Sequence, residues 1–137
     1  MRIMGIDYGD ARTGIAISDL LCSIVGTATV IHSRNTEKTL SEVQRLVREN
    51  EVGEIAVGLP KNMDGTEGDR AVKSRELAQL VTKKSGIETV MWDERLTTVS
   101  AHAALNETNT RGKKRKAVID AVAATMILQS YIDGRRM

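Results

Sequence analysis

Apolar positions divide the chain into a β-rich opening and a longer stretch in which helices and strands alternate. Ile15 and Ile17 lie two residues apart within 13–18, the spacing of a strand with one buried face, and short apolar runs at 3–6 and 28–32 flank this segment. Glycine-bearing turns separate the runs. We therefore expect an antiparallel meander of three strands at the start of the chain.

From Thr36 onward the apolar period lengthens to that of a helix. Leu40, Val43 and Val47 fall on one helical face, and Gly53 ends the predicted helix. A continuous apolar run follows at 55–60, which is typical of a buried strand. The remaining predicted elements are a loop over 62–69, a helix over 71–84, a strand over 87–92, a helix from Thr97 or Thr98 to Leu105, a loop over 106–112 and a largely buried helix over 114–132.

This element order predicts an α/β fold built on a mixed five-stranded sheet. Three antiparallel strands come first, and the later strands are joined through helices, the connection that parallel strands require. Helices then cover both faces of the sheet. No linker or internal repeat interrupts the pattern, so we expect one domain over residues 1–137.

The composition is that of an ordinary globular protein, with 41% hydrophobic and 28% charged residues, and no apolar run is long enough to cross a membrane. Cys22 is the single cysteine, which excludes an internal disulfide, and no signal-peptide pattern precedes the first strand. We therefore expect a soluble, cytoplasmic protein. Aromatic residues are scarce, which argues against a platform that stacks single-stranded bases.

The formal net charge of +2 does not by itself indicate a nucleic-acid partner, but the basic residues are unevenly distributed. Residues 111–116 carry five cations in six positions, in the connection that leads into the last helix. Such a run is either a solvated surface or a contact for phosphates.

Three acidic residues stand in surroundings that do not favour charge. Asp7 ends an apolar strand, Glu94 follows the strand that ends at Trp92, and Asp120 interrupts the apolar last helix. Each alone could be structural, because a donor or a cation can satisfy a half-buried carboxylate. Together they indicate one site, since the carboxyl ends of neighbouring strands open on the same crevice. Three carboxylates without a cysteine or histidine cluster favour Mg²⁺ or Mn²⁺, and hence metal-assisted phosphoryl chemistry.

Five motifs carry a family resemblance. They are Asp7-x-Gly9-x-x-Arg12-x-Gly14-x-Ala16-x-Ser18-Asp19, Gly58-Leu59-Pro60, Asp64-Gly65-Thr66, Asp93-Glu94-Arg95-Leu96-Thr97-Thr98 and Asp120-Ala121-x-Ala123-Ala124. In this order they resemble the YqgF (RuvX) family over nearly the whole chain. The resemblance implies a ribonuclease-H-like fold, and it places acidic active-site positions at Asp7, Glu94 and Asp120.

The function that the resemblance implies is that of a metal-dependent nuclease, cutting endo- or exonucleolytically, that processes the 5′ end of the 16S rRNA precursor in ribosome biogenesis. The expected partner is nucleic acid, either structured precursor rRNA or branched DNA, and the expected state is a monomer or a weak dimer. The candidate phosphate contacts are the basic residues near the acidic site, namely Arg12, Arg95, Arg111, Lys113, Lys114, Arg115 and Lys116.

Three alternatives stay open at this point. A Holliday junction resolvase acting on branched DNA would need two symmetric sites and therefore a stable dimer. A noncatalytic nucleic-acid or transcription-associated factor would keep the fold, although it would not need the three carboxylates. A sugar-kinase-like ATPase also begins with Asp-x-Gly, but it needs two such domains where 137 residues supply one.

Overall fold

The computed structural model describes residues 1–94 and 112–135, and for 112–120 it describes the backbone without the side chains. Five strands and three helices make up these ranges. In chain order they are β1 (Arg2–Asp7), β2 (Arg12–Ser18), β3 (Val25–His32), α1 (Thr36–Glu49), β4 (Val52–Leu59), α2 (Asp69–Ser85), β5 (Thr89–Asp93) and α3 (Gly112–Arg135).

The strands form one mixed sheet in the order β3-β2-β1-β4-β5. The first three strands are antiparallel neighbours, whereas β4 and β5 run parallel to β1. Strand β1 therefore lies at the centre, and its carboxyl end opens on the same edge of the sheet as those of β4 and β5. This arrangement confirms the mixed five-stranded sheet expected from the sequence.

Helices cover both faces of the sheet, each over its own apolar core. On one face, α1 and α2 pack their buried side chains, among them Leu40 and Leu77, against Ile6 and Ile55 of the central strands. On the other face, α3 packs against β1, β2 and β4 through a cluster that includes Ala124 and Leu128. The sheet is thus the middle of three layers.

Small residues let α3 lie close against the sheet. A Cβ added at Gly5 would stand 2.8 Å from Leu128 Cβ and 3.2 Å from the Ala124 carbonyl oxygen. Real Cβ atoms do not approach other atoms that closely, so this part of β1 accepts no side chain without moving the helix. The glycine fixes the depth at which α3 packs.

The carboxyl-terminal part of α3 is held by a polar and aromatic cluster. The Tyr131 hydroxyl donates a 2.6 Å hydrogen bond to Glu54 Oε2, and the same oxygen lies 3.2 Å from Arg135 Nε. Trp92 donates from Nε1 to Ser130 Oγ at 3.0 Å, and its ring meets that of Tyr131 edge to face. These bonds attach the helix to β4 and β5.

The predicted helices and strands are confirmed for the described ranges, but several boundaries were wrong. Helix α1 ends at Glu49 with Asn50 as its C-cap, so Gly53 does not end the helix but lies inside β4. Strand β3 begins at Val25 rather than at Ala28, and α2 begins at Asp69 rather than at Ala71.

Strand β4 begins at Val52 rather than at Ile55, because Tyr131 and Arg135 satisfy the carboxylate of Glu54 inside the strand. Strand β5 begins at Thr89 rather than at Ile87, since the Ile87 N–H still bonds to Ser85 Oγ at the end of α2.

A further correction concerns α3, which ends at Arg135 rather than at Ile132, and the loop predicted before it over 106–112. Gly112 is the first residue of α3, so the helix begins two residues earlier than the sequence pattern indicated. The helix predicted from Thr97 or Thr98 to Leu105, like the rest of that loop, lies outside the described residues. In the described part of the chain, no helix has the length and apolarity that a membrane crossing requires.

Candidate active site

Asp7 is the last residue of the central strand, on the face of the sheet that α3 covers. Side chains alternate along a strand, so Asp7 shares its face with Gly5, against which Ala124 and Leu128 pack. Its partner across the antiparallel pair is Gly14, which has no side chain to cover the carboxylate. Asp7 is partly exposed at this point.

Glu94 lies on the same face, over a glycine of the neighbouring strand. The pairing of Ile6 with Val57 brings Gly58 to the level of Asp7 one strand away. A Cβ added at Gly58 would stand 2.9 Å from Glu94 Cγ and 3.0 Å from Glu94 Oε1. The Glu94 carboxylate therefore occupies the space that a side chain at position 58 would fill, one strand spacing from Asp7.

Asp120 belongs to the part of α3 that approaches the same edge. Tyr131 contacts Glu54, which pairs with Ile3, whereas Ala124 lies over Gly5; the helix therefore runs antiparallel to β1. Asp120 precedes Ala124 by one helical turn, which places its backbone at the level of Asp7.

The structure describes the side chains of two of the three predicted acidic residues. Asp7 and Glu94 are brought together on one face, while the Asp120 side chain lies outside the described side chains. Among the side chains that are described, no group of three or more His, Cys, Asp or Glu residues could hold a metal ion. The three-carboxylate site remains a prediction whose first two members are adjacent.

Of the predicted phosphate contacts, the structure describes Arg12 with its side chain and Lys113, Lys114, Arg115 and Lys116 by their backbone alone. Arg12 begins β2 and shares the α3-covered face with Gly14, the partner of Asp7. Lys113, Lys114, Arg115 and Lys116 all belong to the first turns of α3, so the basic run is helical rather than part of a flexible connection. Lysine and arginine are strong helix formers, so the run continues the helix. Arg95 and Arg111 lie outside the described residues.

Two acidic residues of the family motifs have structural roles instead. Asp19 accepts hydrogen bonds from the backbone N–H of Ser23 and Ile24, which closes the turn between β2 and β3 and lowers the pKa of its carboxyl group. Asp64 accepts from the N–H and hydroxyl of Thr66 in the loop before α2. Neither carboxylate lies on the strand ends that carry Asp7 and Glu94.

A cleft beside this edge was missed by the sequence analysis. It has a volume of about 510 Å³ and lies on the other face of the sheet, where Tyr8 and Asp10 meet the start of α1 and the exposed side of α2. Asp10 accepts from Lys73 Nζ at 3.1 Å, and this contact raises the pKa of the lysine. The lining residues come from three separate segments with no shared spacing, so no sequence pattern could have joined them.

The comparisons with known proteins bear on this arrangement. The family model described as "RuvX: Holliday junction resolvase" matches residues 1–134. The chain belongs to the RuvX family. A relative from Halothermothrix orenii, named a pre-16S rRNA nuclease, is 47% identical over 133 residues, which cover 97% of this chain and 95% of the relative.

Solved structures with the same architecture are more distant in sequence. RuvC from T. thermophilus, in complex with a Holliday junction substrate, aligns with a TM-score of 0.65 at 12% identity, over 99% of this chain and 96% of that one. Fowlpox virus resolvase, also in complex with Holliday junction DNA, aligns over 100% of both chains with a TM-score of 0.62 and 12% identity. These likenesses confirm the ribonuclease-H-like fold expected from the sequence.

Proposed function

We propose that this RuvX-family chain is a nuclease that hydrolyses phosphodiester bonds in the precursor of 16S rRNA. The observation that carries the proposal is the placement of the Glu94 carboxylate over Gly58, one strand away from Asp7, at the open edge of the sheet. The name of the relative from Halothermothrix orenii supports the rRNA precursor as substrate. Asp120 is the third proposed member, delivered by the start of α3.

The proposed site fits a divalent cation. Two adjacent carboxylates repel each other unless a cation lies between them, and an oxygen-only donor set favours Mg²⁺ or Mn²⁺ over Zn²⁺. Asp7, Glu94 and Asp120 would hold the ion. When bound, it would lower the pKa of a water molecule and stabilise the charge on the leaving oxygen.

The protein's own groups have two further roles in this proposal. Gly14 adds no side chain beside Asp7, and Gly58 leaves the space that the Glu94 carboxylate occupies. Arg12 and the cations at the start of α3 would bind neighbouring phosphates and fix the register of the strand, without reading its sequence.

A second candidate function is the cleavage of branched DNA. It is favoured by the description of the family model as a Holliday junction resolvase. The two functions use the same chemistry and differ in the nucleic acid that fits the site.

The experiment compares a labelled 16S rRNA precursor and a four-way DNA junction, each with Mg²⁺, with Mn²⁺, with Ca²⁺ and with a chelator. We expect the wild-type protein to cut the rRNA precursor in Mg²⁺ or Mn²⁺, but neither in Ca²⁺ alone, which binds with looser geometry, nor in chelator. Preferential cutting of the junction would favour the second function.

Matched variants test the residues. Asp7→Asn and Glu94→Gln should each lower cleavage by more than about a hundredfold, since even an outer-shell partner of a metal ligand is worth about 10- to 100-fold. Glu88→Gln, which changes a carboxylate outside the site, should cut normally. Wild-type rates in Asp7→Asn would contradict the proposed site, and failure of the wild-type protein to cut either substrate would favour a noncatalytic role.

A further inference from the structure

The cleft beside the carboxyl edge of the sheet has the features of a nucleotide-binding site. Its apolar part is formed by Tyr8 together with Leu77 and Leu80 of α2, and Leu80 is 37% exposed although it is a large aliphatic residue. Its polar part holds the exposed cations Arg34 and Lys73 together with the carboxylates of Asp10 and Glu76. A volume of about 510 Å³ lies within the range of small-molecule sites.

These two parts match the two halves of a nucleotide. A base is flat and apolar on its faces, which suits the ring of Tyr8 and the leucine side chains. Phosphate oxygens are anionic acceptors, which suits Arg34 and Lys73. A small neighbouring pocket, which shares Tyr8, Asp10 and Lys73 with the cleft, adds the cation Arg70 near the start of α2.

The chain connects this cleft directly to the proposed active site. Asp7 and Tyr8 are consecutive, but Asp7 shares its face with α3, whereas Tyr8 packs against the core on the α1 and α2 face. A nucleic-acid strand that crosses the carboxyl edge of the sheet therefore meets both. A phosphate at Asp7 would have a neighbouring nucleotide at Tyr8.

Lys73 is positioned for such a contact by a residue of the same turn. Asp10 holds the Lys73 ammonium group with both carboxylate oxygens, at 3.1 and 3.3 Å. This pair keeps the long side chain of Lys73 at the mouth of the cleft. An ammonium group has three donors, so Lys73 can bind a phosphate oxygen while it retains Asp10.

We infer that the cleft binds one unpaired nucleotide of the substrate strand, next to the bond that is cut. The inference rests on the proposed nuclease function and adds a substrate class to it, namely nucleic acid with an unpaired nucleotide beside the bond that is cut. A base that is held in a pair cannot enter a cleft of this size. The protein therefore discriminates a tailed duplex from a blunt one.

The test measures binding without cleavage, in the Asp7→Asn variant. Two labelled RNA hairpins are compared by fluorescence anisotropy, one with a blunt end and one with a tail of a few unpaired nucleotides. We expect the tail to strengthen binding about tenfold, the size of one base-stacking contact with a neighbouring phosphate contact. Adding Tyr8→Leu or Arg34→Ala should remove most of this gain and leave the affinity for the blunt hairpin nearly unchanged.

Arg48→Ala provides the matched control, because Arg48 is an exposed arginine in the last turn of α1, at the far end of the helix from the cleft. It should keep the full gain. An equal gain in all variants, or no gain in Asp7→Asn alone, would overturn the inference. Arg34 is exposed, so its variant remains informative even if Tyr8→Leu does not fold.

The outcome is separate from that of the proposed function. A cleft-dependent gain in a protein whose wild-type form cuts no substrate would support the nucleotide site and refute the nuclease. Normal metal-dependent cleavage, together with a tail-dependent gain in affinity that is unchanged by Tyr8→Leu and Arg34→Ala, would support the nuclease and refute the nucleotide site.

Discussion

Gly58 contributes to the candidate site by having no side chain. The space beside its Cα contains Ile127 Cδ1 and the Glu94 side chain, each within about 3 Å of where a Cβ would lie. Both neighbours are the movable ends of side chains, so a methyl group could be accommodated if they shifted. A shift of Glu94, however, would move the carboxylate away from Asp7.

Gly58→Ala should therefore reduce activity far more than stability. We expect the free energy of unfolding to fall by about 1 kcal/mol, the low end for overpacking, because Ile127 can change rotamer. Cleavage should fall about a hundredfold if Glu94 moves by about 1 Å. Urea unfolding and cleavage rates measure the two effects.

Gly26→Ala is the control, since a Cβ there would meet nothing closer than 3.6 Å. It should leave cleavage unchanged. A Gly58→Ala protein that cut normally would mean that the position of Glu94 does not matter for the reaction.

The sequence alone shows which charged residues stand among apolar ones, but not which atoms these residues contact. The position of Asp7 at the end of the central strand could be predicted, because an apolar run leads directly into it. Asp19 stood in the same family motif, yet it closes a turn, which the hydrogen bonds from Ser23 and Ile24 show and the sequence does not. Tyr8 and Arg34 could not be joined into a cleft, because their proximity depends on how α1 and α2 pack.

Helix α3 carries a cluster of cations at its amino-terminal end, and hydrogen bonds attach its carboxyl-terminal end to β4 and β5. Its first turn holds Lys113, Lys114 and Arg115 and no acidic residue. Cations there oppose the positive end of the helix dipole, at a cost of a few tenths of a kcal/mol or more. An unfavourable charge in the helix that carries Asp120, the proposed third carboxylate, is what we expect of a phosphate contact.

Changing these three cations to alanine should separate binding from stability. Alanine favours helix and relieves the repulsion, so the free energy of unfolding should stay the same or rise slightly. Binding to every nucleic acid should weaken, and each lost phosphate contact should flatten the slope of log affinity against log salt by about 0.7 to 0.9. Affinity is measured over a salt series.

Lys83→Ala with Lys84→Ala, at the end of α2, serves as the comparison and should leave the slope as it is in the wild type. An unaltered slope in the α3 variant would identify its basic run as a solvated surface. Cleavage of bound substrate should fall less than affinity does, because no proposed metal ligand has been changed.

Near the carboxyl-terminal end of α3, the ionisation of the Tyr131 hydroxyl reports whether its contacts are intact. Burial, with the hydrogen bond to Glu54, raises the pKa of Tyr131 from 10.0 to about 12. The folded state thus holds this proton more tightly than the unfolded chain does. The stabilisation is complete below pH 10.0 and is lost as the pH rises through about 12.

A Tyr8→Phe variant leaves Tyr131 as the sole tyrosine, so phenolate absorbance reports it alone. We expect absorbance to rise near pH 12 while the protein is folded. Ionisation at the ordinary value in the folded protein would show that Glu54 and the surrounding core do not protect the hydroxyl. Tyr131→Phe should lower the free energy of unfolding by about 1 kcal/mol, the usual worth of one hydrogen bond.

The apolar periodicity of the sequence predicts that a helix or strand is present better than it predicts the residues at which that element begins and ends. The apolar run at 55–60 indicated β4, but its first residues include Glu54, whose partners lie more than seventy positions away in α3. No local pattern could indicate that a carboxylate belongs to this strand. The chain leaves α2 through Gly86 in the left-handed conformation, which delays β5 to Thr89 although Ile87 is already apolar.

For the whole molecule, the strand order decides which residues meet. Because β4 and β5 both run parallel to β1, three carboxyl ends share one edge of the sheet. Element order predicted this mixed sheet, and the crevice at that edge followed from it. The depth of α3 did not follow, since it depends on the close approach of Leu128 to Gly5.

A cation at this edge should stabilise the folded protein. Mg²⁺ at about a hundred times its dissociation constant adds roughly 2.7 kcal/mol to the free energy of unfolding if it binds the folded state alone. Calorimetry with Mg²⁺ and with chelator measures this difference. Asp7→Asn should lose the gain, because it removes one of the carboxylates proposed to hold the cation. An equal gain in both proteins would place the bound cation elsewhere.

Because Tyr131 is attached to Glu54, a small tilt of α3 about Tyr131 would move the opposite part of the helix by a larger distance. Asp120 lies eleven residues from Tyr131, about 16 Å along the helix axis, so a tilt of about 5° pivoting at Tyr131 would displace Asp120 by roughly 1.4 Å. A displacement of that size in a proposed metal-holding carboxylate is enough to cost about a hundredfold in rate. Substitutions at the distant end, in residues that touch no substrate, should therefore alter catalysis as strongly as changes beside Asp7.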